Sequence, residues 1–209
     1  MKPEIDVKTM DIDLYSDKSV KDFTAEIANK DGRLWLSNAL CEIAAESASL
    51  AVKALSKTGG DDAEVQSTLK FAEVLRKFFL RTIDQELQSR AEWDKAVAEN
   101  QPPENVEGAV YAACSEIDEV LYGMVKLLDM LAEIADKIAP AACADAAAAV
   151  AVGRSTMECV KLQRTYYSTF ISGEISSRTM RREPEMAIEE CTSRYDELYN
   201  TLHDRILLA

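Results

Sequence analysis

Residues Val106–Ile138 read VEGAVYAACSEIDEVLYGMVKLLDMLAEIADKI. Val106, Val110, Ala113, Ile117, Val120, Met124, Leu128, Leu131, Ala135 and Ile138 follow one another by threes and fours. That spacing lays one apolar stripe along a helix of 3.6 residues per turn. Polar side chains fill the opposite face, so the stretch reads as one long amphipathic helix packed against others. Gly108 and Gly123 sit inside it. Each costs about 1 kcal/mol relative to Ala, or marks a place where another side chain comes close.

The same periodicity continues in both directions. Pro102-Pro103 precedes this helix, and a proline suits an early helical position. Before it, Val65, Leu69, Ala72, Leu75, Phe79, Ile83 and Leu87 predict a helix from about Asp62 to Glu99. Gly59-Gly60-Asp61-Asp62 separates that helix from another, roughly Leu34 to Ser56, whose faces are rich in Ala and Ser. Ser19 followed by Asp22 predicts an N-cap and a short first helix to about Asn29, and Asn29–Gly32 a turn. Beyond Pro140 an Ala-rich helix should run to about Thr169, ending at Ser172-Gly173. The segment from Ser176 to Glu185 is polar and reads as a loop, and a last helix is expected from Pro184 to Leu207. No stretch alternates as a strand does. The expected fold is all-α, an antiparallel bundle of long helices, with residues 1–18 as an N-terminal arm and 19–209 as a single domain. Two small-residue helices imply close backbones, within the subunit or across a homodimer seam.

Lys and Arg total 24 against 37 Asp and Glu, a net charge of -13. That balance repels phosphate backbones and anionic membranes, so neither nucleic acid nor a membrane surface is an expected partner. No uncharged apolar run reaches the length of a membrane span, and the N-terminus lacks the layout of a signal peptide. The five cysteines form no CxxC pair, and most lie among apolar neighbours, as in a reduced, cytoplasmic protein. With His203 as the single histidine, no metal site is expected.

The candidate chemistry is therefore carried by carboxylates and arginines on helices. Asp145 is the only charged residue between Lys137 and Arg154. Amid small neighbours it is either a functional carboxylate or an acid placed in the first turns of a helix by the macrodipole. Asp84 and Glu86 lie about 200° apart on their helix, so one of them faces the core; Asp84, near the apolar edge, is the second candidate. Arg178, Arg181 and Arg182 form a basic cluster suited to carboxylates, or a solvated loop. Trp35 is a candidate for stacking on a flat heterocycle, or core.

In order and spacing, several of these segments resemble the methenyltetrahydrofolate cyclohydrolase and formiminotetrahydrofolate cyclodeaminase family. The resemblance spans residues 16 to 207. It rests on Ser19-Val-Lys-Asp-Phe23, the small-residue helix from Asn38 to Ser56, the stretch from Leu75 to Asp84-Gln85-Glu86, the helix from Ala109 to Val125, and Ala144-Asp145-Ala146. It implies an all-helical homodimer acting on a tetrahydrofolate derivative, by hydrolysing a methenyl bridge or cyclising a formimino group. Asp145 and Asp84 would then be the catalytic carboxylates. Arg33, Trp35, Asn38, Arg178, Arg181 and Arg182 would hold the pterin and its acidic tail. The chain also departs from the family. Lys30–Leu36 replaces a Pro-x-Pro-Gly-Gly-Gly loop, Ala144 stands for Ser, and Gln163–Tyr167 lacks the family's asparagines. These departures keep a second reading alongside, a non-catalytic helical relative that binds another ligand or a protein partner.

Overall fold

The computed structural model describes residues 15–208. Residues 1–14, most of the expected N-terminal arm, lie outside the described residues. Six α-helices follow in order: α1 (Val20–Ala28), α2 (Leu36–Thr58), α3 (Ala63–Ala98), α4 (Pro103–Glu133), α5 (Cys143–Ser168) and α6 (Glu174–Leu207). Single 3₁₀ turns occur at Tyr15–Asp17 and Pro140–Ala142, and no strand forms among the described residues. The chain is the all-α bundle of long helices that its periodicity predicts. No helix among the described residues is long and apolar enough to cross a membrane.

Local chemistry sets the helix ends. Ser19 Oγ accepts the Asp22 N–H at 3.2 Å at the start of α1. Asp62 Oδ1 accepts from Glu64 N and Val65 N at the start of α3. Both are side-chain caps on donors that a first turn leaves unpaired. Pro103 opens α4, where its missing N–H is harmless. Gly59 closes α2 at φ 63°, a region that disfavours a Cβ. α4 stops at Glu133, short of the expected Ile138. Residues 134–138 continue as turns, with Ile134 and Ile138 still buried. Arg205 on α6 donates to the carbonyls of Ala135 and Ile138, satisfying acceptors that no helix serves there.

α6 departs most from expectation. It begins at Glu174, so the anticipated loop from Ser176 to Glu185 is helical and Pro184 lies inside the helix. Pro184 has no N–H, which deprives the Met180 carbonyl four residues earlier of its helical partner. The buried guanidinium of Arg164, on α5, supplies it: Nε donates to Met180 O at 3.1 Å. Nη1 reaches Asp118 of α4 at 2.9 Å and Nη2 reaches Glu183 at 2.8 Å. One side chain thus repairs the proline break and ties three helices together.

The small-residue faces meet within the chain. α2 packs along α5, where Ser47 Oγ donates to Ala149 O at 2.8 Å. A Cβ on Gly153 would come within 3.0 Å of Ser47 Oγ. These faces therefore give no reason of their own to expect a second copy. The two α4 glycines differ in meaning. A Cβ on Gly108 meets nothing within 4 Å, whereas one on Gly123 would sit 2.9 Å from the Phe79 ring, whose side chain is fully buried. Gly108→Ala is expected to raise stability by about 1 kcal/mol. Gly123→Ala is expected to lower it by about 1–3 kcal/mol, because the overpacked ring cannot retreat. Urea titration of both variants reads the opposite signs.

Candidate functional site

Asp145 sits in the first turn of α5, its side chain 14% exposed. Lys53 Nζ and Lys57 Nζ, from the last turns of α2, reach its two oxygens at 2.8 and 2.5 Å. These ammonium groups hold its carboxyl below the usual range, so it is ionised at neutral pH. The solitary acid has its partners on another helix, and the small residues beside it let α2 come near. The arrangement is an ion triad, suited to fixing a negative charge rather than to passing protons.

Asp84 and Glu86 lie near the opposite end of α2. The Asn38 amide donates to Ile83 O at 2.9 Å, which docks the first turn of α2 beside Asp84. Asn38 Oδ1 accepts the Trp35 N–H at 2.8 Å and so also caps α2. Lys53 and Lys57 follow Asn38 by fifteen and nineteen residues on the same helix. At 1.5 Å per residue that is roughly 22–28 Å. Asp145 and Asp84 therefore cannot serve one reacting atom within one chain. Asp84 is half-buried and accepts the backbone N–H of Tyr15 at 2.8 Å.

It is Glu86, not Asp84, that faces the core. The apolar stripe of α3 drifts from Phe79 through Thr82 and Ile83 to Glu86 and Trp93. Glu86 is fully buried. Tyr167 of α5 donates to its Oε1 at 2.8 Å, while the buried Ser37 hydroxyl lies close by but completes no hydrogen bond of good geometry, and neither does Oε2. Burial pushes the Glu86 carboxyl up to about 7, and Glu116 adds to this; Ser37, Tyr167 and Arg90 draw it partly back. Tyr167 is itself pushed well above the usual phenol range by burial and by Glu86, so it stays a proton donor. A buried carboxyl balanced between its two protonation states at neutral pH suits acid–base work.

Arg90 lies one turn further along α3. Its guanidinium carbon is 3.9 Å from the Trp35 ring centroid and 3.8 Å from that of Trp93. Nη2 pairs with Asp94 at 2.9 Å, while Nε and Nη1 are buried without partners. Trp93 also packs edge-on against Tyr167 and Phe170 at 5.3 and 4.6 Å. This end of the bundle thus gathers a proton-carrying carboxyl, unpaired donors and acceptors, and aromatic faces. Arg90 and Ser37 were not singled out in the sequence, and Glu86 was weighed there against Asp84, which was preferred. The signal for Glu86 was present: it falls seven residues after Phe79 and seven before Trp93.

The other candidates scatter. Arg33 is exposed, and its backbone N–H donates to Glu26 at 3.0 Å. Arg181 lies within 3.4 Å of Ser168 Oγ and 3.3 Å of Ser177 Oγ, beside the Tyr167 end of α5. Arg182 pairs with Glu185 and Glu189 along α6, and Arg178 is exposed. Three surface grooves among α4, α5 and α6 are lined by neither Asp145 nor Glu86.

No protein-family model and no curated protein matches the sequence. Among solved structures, the fold matches that of formiminotetrahydrofolate cyclodeaminase from Thermotoga maritima, with a TM-score of 0.75. The match covers 91% of this chain and 96% of that one at 16% sequence identity. The chain has this enzyme's fold.

Proposed function

We propose that this chain acts on a one-carbon tetrahydropterin at the end of the bundle where Glu86 lies. The observation that carries the reading is the buried Glu86 carboxyl, with one oxygen held by Tyr167 and the other unpartnered. The shared fold with an enzyme named for a formimino-tetrahydrofolate supplies the substrate class. In the hydrolytic direction, the oxygen of water bonds to the cationic bridging carbon and one water proton passes to Glu86. The C–N bond of the adduct then breaks, its nitrogen gaining a proton as the adduct hydroxyl loses one to become the formyl oxygen. One proton is released overall. Closure of a formimino group follows the same logic, with ammonia as the leaving group. A carboxyl near 7 takes and returns such protons at neutral pH. Arg181, near Ser168 at the Tyr167 end of α5, is assigned to the acidic tail. Homodimer formation remains part of the proposal on the resemblance alone.

Loss of methenyl-tetrahydrofolate absorbance tests this. Turnover above buffer is expected, falling about 10²–10⁴-fold in Glu86→Gln. Asp145→Asn, beside the far end of α2, is expected to keep its rate within a few-fold. No turnover by the unaltered protein would sink the enzymatic reading. The bulky Arg33-Leu34-Trp35 in place of the family's glycine-rich loop favours the second reading, a binding protein without chemistry. There, folates raise the melting temperature but are not consumed.

A further inference from the structure

We propose that Trp35 occupies the place of a flat ligand ring, stacked on the outer face of Arg90, and that a flat heteroaromatic ring binds by displacing it. The proposal rests on the pterin reading above, and adds how the ring is received and which residue controls its entry.

Two indole centroids within 4 Å of one guanidinium carbon must take its opposite faces. They are not equivalent. Trp93 is 1% exposed and wedged among Tyr167, Tyr166 and Phe170. Trp35 is 38% exposed and stands on the short loop between α1 and α2, between buried Leu34 and exposed Leu36. The inner face of Arg90 is therefore fixed and the outer one is covered by a removable ring. The Trp35 backbone is pinned separately, its N–H donating to Asn38 Oδ1. The indole can leave while the cap of α2 stays intact.

What Trp35 leaves unfilled defines the ligand. An indole carries a single N–H donor and no hydrogen-bond acceptor. The N–H bonds of Arg90 Nε and Nη1 lie in the guanidinium plane, out of reach of any ring on its face, while Ser37 Oγ and Glu86 Oε2 nearby complete no hydrogen bond. A flat ring with acceptors and donors along one edge stacks on Arg90 as the indole does. Where its edge reaches past the guanidinium, it can also donate to the Glu86 carboxylate. A pterin carries such an edge, and an apolar aromatic ring does not.

Calorimetric titration with 5-formyltetrahydrofolate tests the exchange on the full chain, with Trp35→Ala, Trp35→Phe and Arg90→Met, each checked for folding by circular dichroism. Removing the competing ring is expected to tighten binding about two- to fivefold in Trp35→Ala, the equivalent of one exposed cation–π contact. Trp35→Phe keeps a ring and should stay near the unaltered protein, while Arg90→Met should weaken binding at least tenfold. If Arg90→Met does not fold, the two Trp35 variants decide alone. Binding by the unaltered protein that is unchanged or weaker in Trp35→Ala overturns the displacement and leaves the pterin reading standing. Binding by none of the proteins overturns both.

Discussion

Arg164→Met is expected to destabilise the fold by about 3 kcal/mol or more, since removing one partner of a buried ion pair strands the other. Arg164 is 5% exposed and holds Asp118, Glu183 and the Met180 carbonyl at once. With the guanidinium present, burial already pushes the Asp118 carboxyl up to about 6. Without it, Asp118 keeps the burial and loses the compensating charge, and the Met180 carbonyl has no donor. For a chain of this size the melting temperature should fall by roughly 6–12 °C. Pro184→Ala gives a specific rescue. The new N–H at position 184 can bond Met180 O as an ordinary helix does, so the double variant should recover about 1 kcal/mol that the two single changes do not predict. Strict additivity in urea titrations would show that Arg164 does not repair the proline break.

The second large effect belongs to Glu86. Its carboxyl is raised in the folded state from 4.5 to about 7. Below 4.5 it is protonated whether the chain is folded or not, and contributes no difference. Between these values the folded chain holds a proton that the unfolded chain has lost, so stability falls as pH rises through the window. By pH 8 the loss from this one group approaches about 3 kcal/mol. Glu86→Gln cannot ionise. Its stability relative to the unaltered protein should therefore improve by about that amount between pH 5 and pH 8. The difference between the two proteins isolates Glu86 from Asp118, Glu42 and Glu116, which are also raised. A difference that stays flat across this range would mean that Glu86 is ionised and well paired, and its proposed chemistry would go with it.

The helices of this fold were readable because their apolar stripes are local: Val106 to Leu131 needs no knowledge of any other helix. The miss at α6 has a tertiary cause. The polar residues ahead of Pro184 read as a loop, and the donor that lets the helix pass through Pro184 comes from Arg164, twenty residues earlier on another helix. The surroundings of Asp145 were hidden for the same reason. Its lysine partners lie 88 and 92 positions away, so it looked solitary only along the chain. Glu86 was legible in part. It continues the α3 stripe, but the stripe was traced to Leu87, and a charged residue on an apolar face was passed over. The unpaired atoms of Arg90 and Ser37 depend on how α2 docks against α3, which no spacing along the chain reveals.

The location of the ring in a crystal of the chain with 5-formyltetrahydrofolate tests the central claim most directly. The pterin should lie against Arg90, with its polar edge within hydrogen-bonding reach of Glu86 and Ser37 and the Trp35 indole moved aside. A pterin seated beside Asp145, Lys53 and Lys57, with the Glu86 end closed and unchanged, would contradict the assignment.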